Sequence, residues 1–316
     1  MVTPLRGRDE LDLAGLARLI ERILNGGVNG LFILGTTGEG PSLSYRLRRE
    51  LIERTCRQVE ARVPVLVGIT DTAFVESLNL ARHAAAAGAE ALVLAPPYYL
   101  PAGQVELQEY LDHLVAELPL PLFLYNMPML TKVQYESGVL RWAMDQPRVV
   151  GLKDSSSSMS YFHAAVGLLK YRPDWSLLIG PEELLADAVF AGGHGGIPGG
   201  ANLFPKLYVQ LCEAARAGDA QRSRQLHAQV MRISNSLYQI GHDGSAVIKG
   251  IKCALSCMGV CEDFMAEPFH RFRAEERARV QCQLAELTAG VETLVSNHQP
   301  ADGSRPARQL PAASPA

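Results

Sequence analysis

The sequence repeats one unit, a short apolar run followed by a stretch of helical periodicity, and this repeat limits the folds open to it. The apolar runs do not alternate with polar residues, which is typical of strands in a parallel sheet that helices cover on both faces. Candidate strands stand at residues 31–34, 65–68, 91–95, 122–125, 149–153, 177–180 and 196–197, with the remnant of another at Val2. Eight such units predict an α/β fold, a closed (β/α)8 TIM barrel, over residues 1–218.

An open, doubly wound parallel sheet is the competing architecture. Its first strand would lead into a glycine-rich dinucleotide-binding turn, and Gly35-Thr36-Thr37-Gly38 does not match that fingerprint. Beyond Gly218 the sequence predicts helices without strands, at about residues 219–239, 245–258 and 274–294. We therefore expect a helical extension at residues 219–295. The tail at residues 296–316, rich in Pro, Ala, Ser and Gly, is expected to be disordered.

Composition argues against several classes of function. A net charge of −3 provides no basic surface of the kind that binds nucleic acids or anionic membranes. The apolar runs have the length of strands, and no secretion signal is recognisable, so we expect neither a membrane span nor export. Cys253, Cys257 and Cys261 share one helical face, but without a C-x-x-C pair we expect core packing rather than a metal site, and a reducing cytoplasm.

Lys153 ends an apolar run, and polar residues follow it at once. This pattern indicates a buried strand that carries an amine to its exit point. An apolar pocket disfavours the charged form of an amine, and the free amine can condense with a ketone to form a Schiff base. The alternative is a lysine that extends from the strand end into solvent and has no chemical role.

All strands of a parallel barrel end at one mouth, so residues far apart in sequence meet there. Tyr125 ends the strand before that of Lys153, and neighbouring strands lie about 5 Å apart, which makes its hydroxyl a candidate proton carrier. Thr36 and Thr37, in a glycine-flanked turn, offer hydroxyls and backbone N–H groups to a carboxylate. Amine, phenol and anion-binding turn together predict a site for a 2-keto acid.

Four motifs point to a known family. They are Gly35-Thr36-Thr37-Gly38-Glu39, Tyr125-Asn126-x-Pro128, Gly151-Leu152-Lys153-Asp154 and Gly192-Gly193-His194-Gly195. By these motifs, from Val2 to about residue 290, the chain resembles the N-acetylneuraminate lyase / dihydrodipicolinate synthase family of class I, Schiff-base aldolases. The resemblance implies a (β/α)8 barrel with C-terminal helices and a homotetramer built as a dimer of dimers. We expect no metal and no cofactor, because an imine supplies the electron sink.

The resemblance also implies roles for residues. Lys153 would form the imine with pyruvate or a pyruvate-derived donor, and Tyr125 would act as the general acid/base. Thr36 and Thr37 would hold the pyruvate carboxylate. Tyr99 would reach into a partner subunit's site and complete a proton relay with Thr36 and Tyr125. The alternatives are that Tyr125 is a core aromatic and that Tyr99 packs within its loop.

The substrate is where the sequence departs from the best-known branch. Family members that condense pyruvate with aspartate semialdehyde carry an arginine where Leu130 stands, and Pro-x-Leu-Thr resembles the sialate-lyase branch instead. Glu182 and Glu183 could accept hydrogen bonds from substrate hydroxyls, or could be acidic residues that favour a helix N-terminus. The remaining candidates for substrate contact, at or after strand ends, are Ser155, Gly180 and Ile197.

Three enzymatic hypotheses follow. The first is a pyruvate-dependent lyase that cleaves or forms a carbon–carbon bond in a 2-keto-3-deoxy sugar acid or a sialate-like substrate. The second is a dihydrodipicolinate synthase-type condensation of pyruvate with aspartate semialdehyde, and the third is a dehydratase that uses the same imine. A binding barrel without turnover is disfavoured, because it would not need Lys153 and Tyr125 together.

Overall fold

A curved sheet of seven parallel strands organises the protein, and each strand pairs with the next one along the chain. The computed structural model describes residues 1–241 and 243–296. The strands are β1 (Leu5–Gly7), β2 (Glu10–Leu11), β3 (Leu31–Ile33), β4 (Val65–Gly68), β5 (Ala91–Leu94), β6 (Leu122–Asn126), β7 (Val149–Asp154), β8 (Ser176–Ile179) and β9 (Gly195–Gly196). With the helices that flank β3–β9, this sheet is a (β/α)8-type barrel, as the repeat predicts.

Helices follow the strands throughout and then continue alone. They are α1 (Leu13–Asn25), α2 (Tyr45–Val59), α3 (Phe74–Ala86), α4 (Gln104–Glu117), α5 (Pro128–Thr131), α6 (Ser137–Met144), α7 (Met159–Leu168), α8 (Leu185–Phe190), α9 (Pro205–Arg216), α10 (Ala220–Leu237), α11 (Ala246–Cys257) and α12 (Ala274–Ser296). Local signals set several of their starts: the side chain of Asp12 accepts from Gly15 N before α1, and that of Ser44 accepts from Leu47 N before α2. None of these helices is long and apolar enough to cross a membrane.

The prediction of a strand at Val2 was wrong. The first strand is β1, which pairs with β2 in an antiparallel hairpin outside the main sheet. Residues 1–3 nevertheless connect the two edges of that sheet. The amino group of Met1 donates to Phe32 O (2.6 Å), and Val2 N donates to Asn202 Oδ1 (2.9 Å), just beyond β9. The segment therefore lies across the gap that an eighth strand would fill, without forming a ladder.

The side chains of the apolar strands pack in two separate hydrophobic cores. Successive side chains of a strand point to opposite faces, so β3–β7 each contribute to both. Outward residues such as Ile33, Leu92 and Leu124 pack in the large cluster that includes the helices. The inward cluster fills the barrel, and its buried members are Phe32, Leu66, Ala91, Val93, Ala95, Phe123, Tyr125 and Val150. Burial on both faces explains why the runs show no alternation.

A β-bulge sets the orientation of β7. Leu122 pairs with Val149 but Phe123 pairs with Gly151, so Val150 is an extra residue on the β7 side. Such a bulge changes which face the following side chains occupy. Gly151 is required here, because a Cβ at this position would lie 2.4 Å from Ser176 O and 2.5 Å from the Phe123 ring.

The three helices of the extension, α10–α12, lie within about three residues of their predicted bounds. Cys253 and Cys261 are buried in the core, and none of the six cysteines, all within the described residues, forms a disulfide. The prediction of disorder at residues 296–316 concerns residues that, apart from Ser296 at the end of α12, lie outside the described ranges.

Candidate active site

The amine of Lys153 is buried inside the mouth of the barrel. The register pairs Lys153 on β7 with Tyr125 on β6, which confirms the predicted adjacency. Only 7% of Lys153 is exposed, so this lysine does not extend into solvent. Its Nζ lies 4.1 Å from the centre of the Tyr125 ring and 4.9 Å from that of Phe32. The two aromatic rings enclose the amine and leave little room for water around it.

The hydroxyl of Tyr125 experiences opposing influences. Burial raises the pKa of Tyr125, but the positive charge of Lys153 and hydrogen bonding to Ser155, Thr36 and Lys153 lower it, and the net result is a pKa below the usual value. The hydroxyl lies 3.3 Å from Thr36 Oγ1, and either atom can donate. A phenol with this pKa, next to an amine, is suited to accept and return a proton.

The turn at residues 35–40 brings Thr36 to this site. It closes through hydrogen bonds from Gly38 N to Gly35 O (3.0 Å) and from Glu39 N to Thr36 O (3.0 Å). Thr36 and Thr37 are half-buried at the strand end, with Thr36 directed at Tyr125. The turn thus places a threonine hydroxyl beside that of Tyr125. Its predicted role in binding stays a prediction.

Asn126 and Asp154 form a matching pair one residue further along the strands. They are register partners, both fully buried, and Asn126 Nδ2 donates to Asp154 Oδ1 at 2.8 Å. Ser156 also donates to this carboxylate, through its N–H and through its hydroxyl, both at 3.0 Å. Burial raises the pKa of Asp154, although these hydrogen bonds oppose the rise. The pair joins β6 and β7 at the point where Tyr125 and Lys153 meet.

Ser155 and Gly180 lie against each other beside the amine. Ser155 is 93% buried, and its N–H donates to Asn126 O at 2.7 Å. A Cβ on Gly180 would lie 1.8 Å from Ser155 Oγ, so the close approach of β8 depends on glycine. Ile197, after β9, packs against the inward cluster. These three residues lie around the same mouth, as their strand ends predict.

Glu182 faces the protein rather than an open pocket. Its Oε1 accepts from Tyr208 (2.5 Å) and Tyr238 (2.9 Å), and its Oε2 accepts from Gly200 N (2.6 Å). Burial raises the pKa of Glu182 to about 7, against the effect of these hydrogen bonds. Glu183 accepts from Ser234 at 2.5 Å. This geometry gives no support to the prediction that the two carboxylates bind substrate hydroxyls.

Tyr99 and Leu130 are exposed in the single chain. Tyr99 is 82% exposed and Leu130 is 51% exposed, on the loop after β5 and on α5 respectively. Lys132, two residues on, is exposed and donates to Met129 O at 2.7 Å. The large exposed apolar side chains of this region are Tyr99, Leu100, Val105, Met129 and Leu130.

Sequence reasoning missed three residues that shape the site. Phe32 provides the second ring against Lys153, and its inward position on β3 could have identified it. Glu39 was noted only as part of a motif, and Lys252 was not noted at all. The two form a fully buried ion pair beneath the turn, and the lysine's place among apolar residues of α11 was the available signal. Within the described ranges, no cluster of three or more His, Cys, Asp or Glu could hold a metal ion.

Comparison with known proteins agrees with this geometry. The sequence model of the dihydrodipicolinate synthetase family matches residues 1–287. The chain belongs to this family. A 4-hydroxy-tetrahydrodipicolinate synthase of Phenylobacterium zucineum is 31% identical over 92% of this chain and 96% of its own length. A protein of Escherichia coli named as a 2-dehydro-3-deoxy-D-pentonate aldolase, YjhH, is 30% identical over 87% of this chain and 91% of its own length.

Solved structures of family members superpose closely. That of dihydrodipicolinate synthase from Bacteroides thetaiotaomicron is 51% identical, with a TM-score of 0.88 over 90% of this chain and 96% of that one. That of Escherichia coli YagE in complex with pyruvate is 28% identical, with a TM-score of 0.85 over 91% and 96%. The family and its named members are lyases and aldolases, and this protein is an enzyme of this lyase and aldolase type.

Proposed function

We propose that the protein is a class I lyase in which Lys153 forms a Schiff base with pyruvate or another 2-keto acid. The observation that carries the proposal is the position of the lysine amine, buried at a strand end against Tyr125, whose hydroxyl faces Thr36. An amine in this position can reach the carbonyl of a 2-keto acid bound in the mouth of the barrel, with the phenol of Tyr125 next to it. The YagE structure, a complex with pyruvate, supports the choice of ligand.

Each group then has a defined step. The Lys153 amine adds to the C2 carbonyl of the 2-keto acid, and water leaves as the imine forms. Tyr125 gives its proton to the hydroxyl that leaves as this water, and its phenolate then takes the proton of the C4 hydroxyl. The C3–C4 bond breaks at the same time, its electron pair passes into the imine, and the aldehyde departs. Protonation of C3 and hydrolysis of the imine release pyruvate and restore Lys153. Thr36 and Thr37 hold the carboxylate throughout.

For the substrate, we favour a 2-keto-3-deoxy sugar acid or a sialate-like acid. Leu130 offers no guanidinium to a second carboxylate, and Lys132 is engaged with Met129 O. Relatives named for such substrates, YjhH and YagE, support the same class. Because Glu182 and Glu183 bond to protein groups, the selectivity for hydroxylated aldehydes rests on Leu130 and not on these carboxylates.

Condensation of pyruvate with aspartate semialdehyde is the second candidate. The 51% identity to a structure described as dihydrodipicolinate synthase favours it, as do the curated synthases among the relatives. A dehydratase that uses the same imine is distinguished by its product, which keeps all the carbon atoms of the substrate.

We also propose that the protein is a homotetramer in which Tyr99 enters the partner subunit's site. We further propose that it works in a reducing cytoplasm, which fits its six unpaired cysteines.

One experiment tests imine and substrate together. Borohydride reduction in the presence of pyruvate should attach pyruvate covalently to Lys153, and peptide mass spectrometry should locate it there. Lys153→Ala should lose both the adduct and turnover, whereas Lys170→Ala, at a lysine outside the site, should keep both. A panel of 2-keto-3-deoxy sugar acids, with product identification, then separates aldolase from dehydratase. An unmodified Lys153 peptide after inactivation would refute the imine.

A further inference from the structure

Glu39 and Lys252 form an ion pair that is completely buried, at 0% side-chain exposure for both. Lys252 lies on α11 of the helical extension, 213 residues beyond Glu39 in the turn at residues 35–40. Lys252 Nζ donates to Glu39 Oε1 at 2.5 Å and to Phe264 O at 2.6 Å. Glu39 Oε2 accepts from Ala266 N at 2.8 Å. The extension therefore bonds to both oxygens of the Glu39 carboxylate, and a second bond from the ammonium stays within the extension.

Burying two charges is costly, and a buried pair is weak as a source of stability. The presence of the pair is therefore better explained by the position in which it holds the turn at residues 35–40 against the extension. Burial lowers the pKa of Lys252, against the effect of Glu39. Glu39 itself adopts a left-handed backbone conformation, with φ of 55°, which is unfavourable for a residue with a side chain. A strained residue of this kind persists only where its surroundings hold it in place.

Glu39 belongs to the turn at residues 35–40, which is predicted to bind the carboxylate. Glu39 N donates to Thr36 O at 3.0 Å, and Thr36 Oγ1 lies 3.3 Å from the Tyr125 hydroxyl. Glu39 thus connects the extension, on one side, to the backbone that orients Thr36 and Thr37, on the other. We propose that Glu39 and Lys252 are positioning residues, through which the helical extension sets the affinity of the site for the carboxylate of the 2-keto acid.

This inference rests on the proposed imine function, and it separates binding from chemistry. The amine of Lys153 belongs to β7 and is enclosed by Phe32 and Tyr125, none of which bonds to the Glu39–Lys252 pair. Loosening the turn should therefore weaken recognition of the carboxylate while imine formation with a neutral ketone continues. A role confined to stability would not distinguish a ketone with a carboxylate from one without.

The test compares Lys252→Met and Glu39→Gln with wild type. Lysine trapping by cyanoborohydride is measured with pyruvate and with hydroxyacetone, a ketone without a carboxylate. We expect KM for pyruvate to rise by about tenfold or more and its trapping efficiency to fall equally, with trapping of hydroxyacetone and kcat at saturating pyruvate nearly unchanged. Gln229→Leu, which removes the buried hydrogen bond from Gln229 on α10 to Leu287 O on α12, is the matched control within the same extension and should behave as wild type.

Each outcome decides the inference. Unchanged trapping of both ketones in the folded variants would overturn it, and so would an equal loss with both, because the effect would then not concern the carboxylate. If Lys252→Met fails to give a native circular dichroism spectrum, Glu39→Gln, which keeps the side-chain volume, provides the decision. If wild type traps neither ketone on Lys153, the proposed function itself fails, a result distinct from failure of the positioning role.

Discussion

At the scale of single residues, Tyr125 carries the clearest prediction for catalysis. In the proposed mechanism its hydroxyl takes a proton from the substrate and returns it, and it contacts Thr36 and lies beside Lys153. Tyr125→Phe keeps the ring that packs against the amine but removes the proton carrier. We expect kcat to fall by about 10²- to 10⁴-fold, with a smaller effect on KM for pyruvate. Steady-state kinetics check this, and a kcat that survives would show that another group carries the proton.

Leu130 carries the prediction for substrate choice. A guanidinium can bind a carboxylate through two parallel hydrogen bonds, and a leucine cannot. Leu130→Arg should therefore raise kcat/KM for aspartate semialdehyde relative to neutral hydroxylated aldehydes. Leu130→Met is the control for a change of shape without charge. If the wild-type protein already condenses pyruvate with aspartate semialdehyde faster than with every polyol aldehyde tested, the interpretation of Leu130 is wrong.

At the scale of elements, the alignment of β6 with β7 determines whether the amine and the phenol meet. The bulge at Val150 and the Asn126–Asp154 hydrogen bond both act on this alignment. Asn126→Ala leaves the buried Asp154 carboxylate with fewer donors, which should cost about 1–3 kcal/mol in the free energy of unfolding and should lower kcat. Ser156→Ala removes another donor to Asp154 without uncoupling the strands. An equal loss of kcat in both variants would contradict the role of the strand alignment.

Glu182 joins the segment after β8 to α9 and α10 through Tyr208 and Tyr238, and it makes stability depend on pH. Its pKa is about 7 in the folded protein, against an ordinary 4.5. Between these values the folded state holds a proton that the unfolded state has lost. The stabilisation of the folded state by protonated Glu182 is thus fully present below about pH 4.5, and it is lost as the pH rises through about 7.

Glu182→Gln cannot titrate, so this loss should disappear. Between pH 4.5 and pH 7.5, wild type should lose about 3 kcal/mol of unfolding free energy that the variant keeps. The difference between the two proteins should therefore change by that amount in favour of the variant. Urea unfolding at the two pH values measures the change. Glu183→Gln removes a carboxylate one residue away, and a matching change in that variant would contradict the assignment to Glu182.

The sequence predicted what depends on local pattern. Apolar runs identified the seven strands of the sheet, and the order of strand ends placed Lys153 beside Tyr125. It did not predict the bulge at Val150, because an extra residue in a continuous apolar run leaves no mark on the pattern. The Glu39–Lys252 pair was missed because its members are 213 residues apart, and only the packing of α11 against the barrel brings them together.

At the scale of the whole molecule, two neighbouring segments carry five exposed apolar side chains. Tyr99, Leu100 and Val105 follow β5, while Met129 and Leu130 lie on α5, and all five are exposed. A hydrogen bond from Gln104 to Gln134 O, at 2.9 Å, holds the two segments next to each other. Exposed apolar groups concentrated in one region are typical of an interface between proteins. In the proposed homotetramer, a second copy of the chain covers these segments, and Tyr99 enters the site of that copy.

Mixing two defective variants tests whether Tyr99 acts in the partner subunit. In a dimer of one Lys153→Ala and one Tyr99→Phe protomer, the site that keeps Lys153 would receive an intact Tyr99 from its partner. Because random reassociation makes about half of the dimers mixed, with one of two sites intact, the mixture should regain about a quarter of wild-type activity beyond the residual activity of the variants. Mixtures without reassociation are the control. Activity equal to the mean of the separate variants, when mass spectrometry shows mixed dimers, would place Tyr99 outside the partner's site.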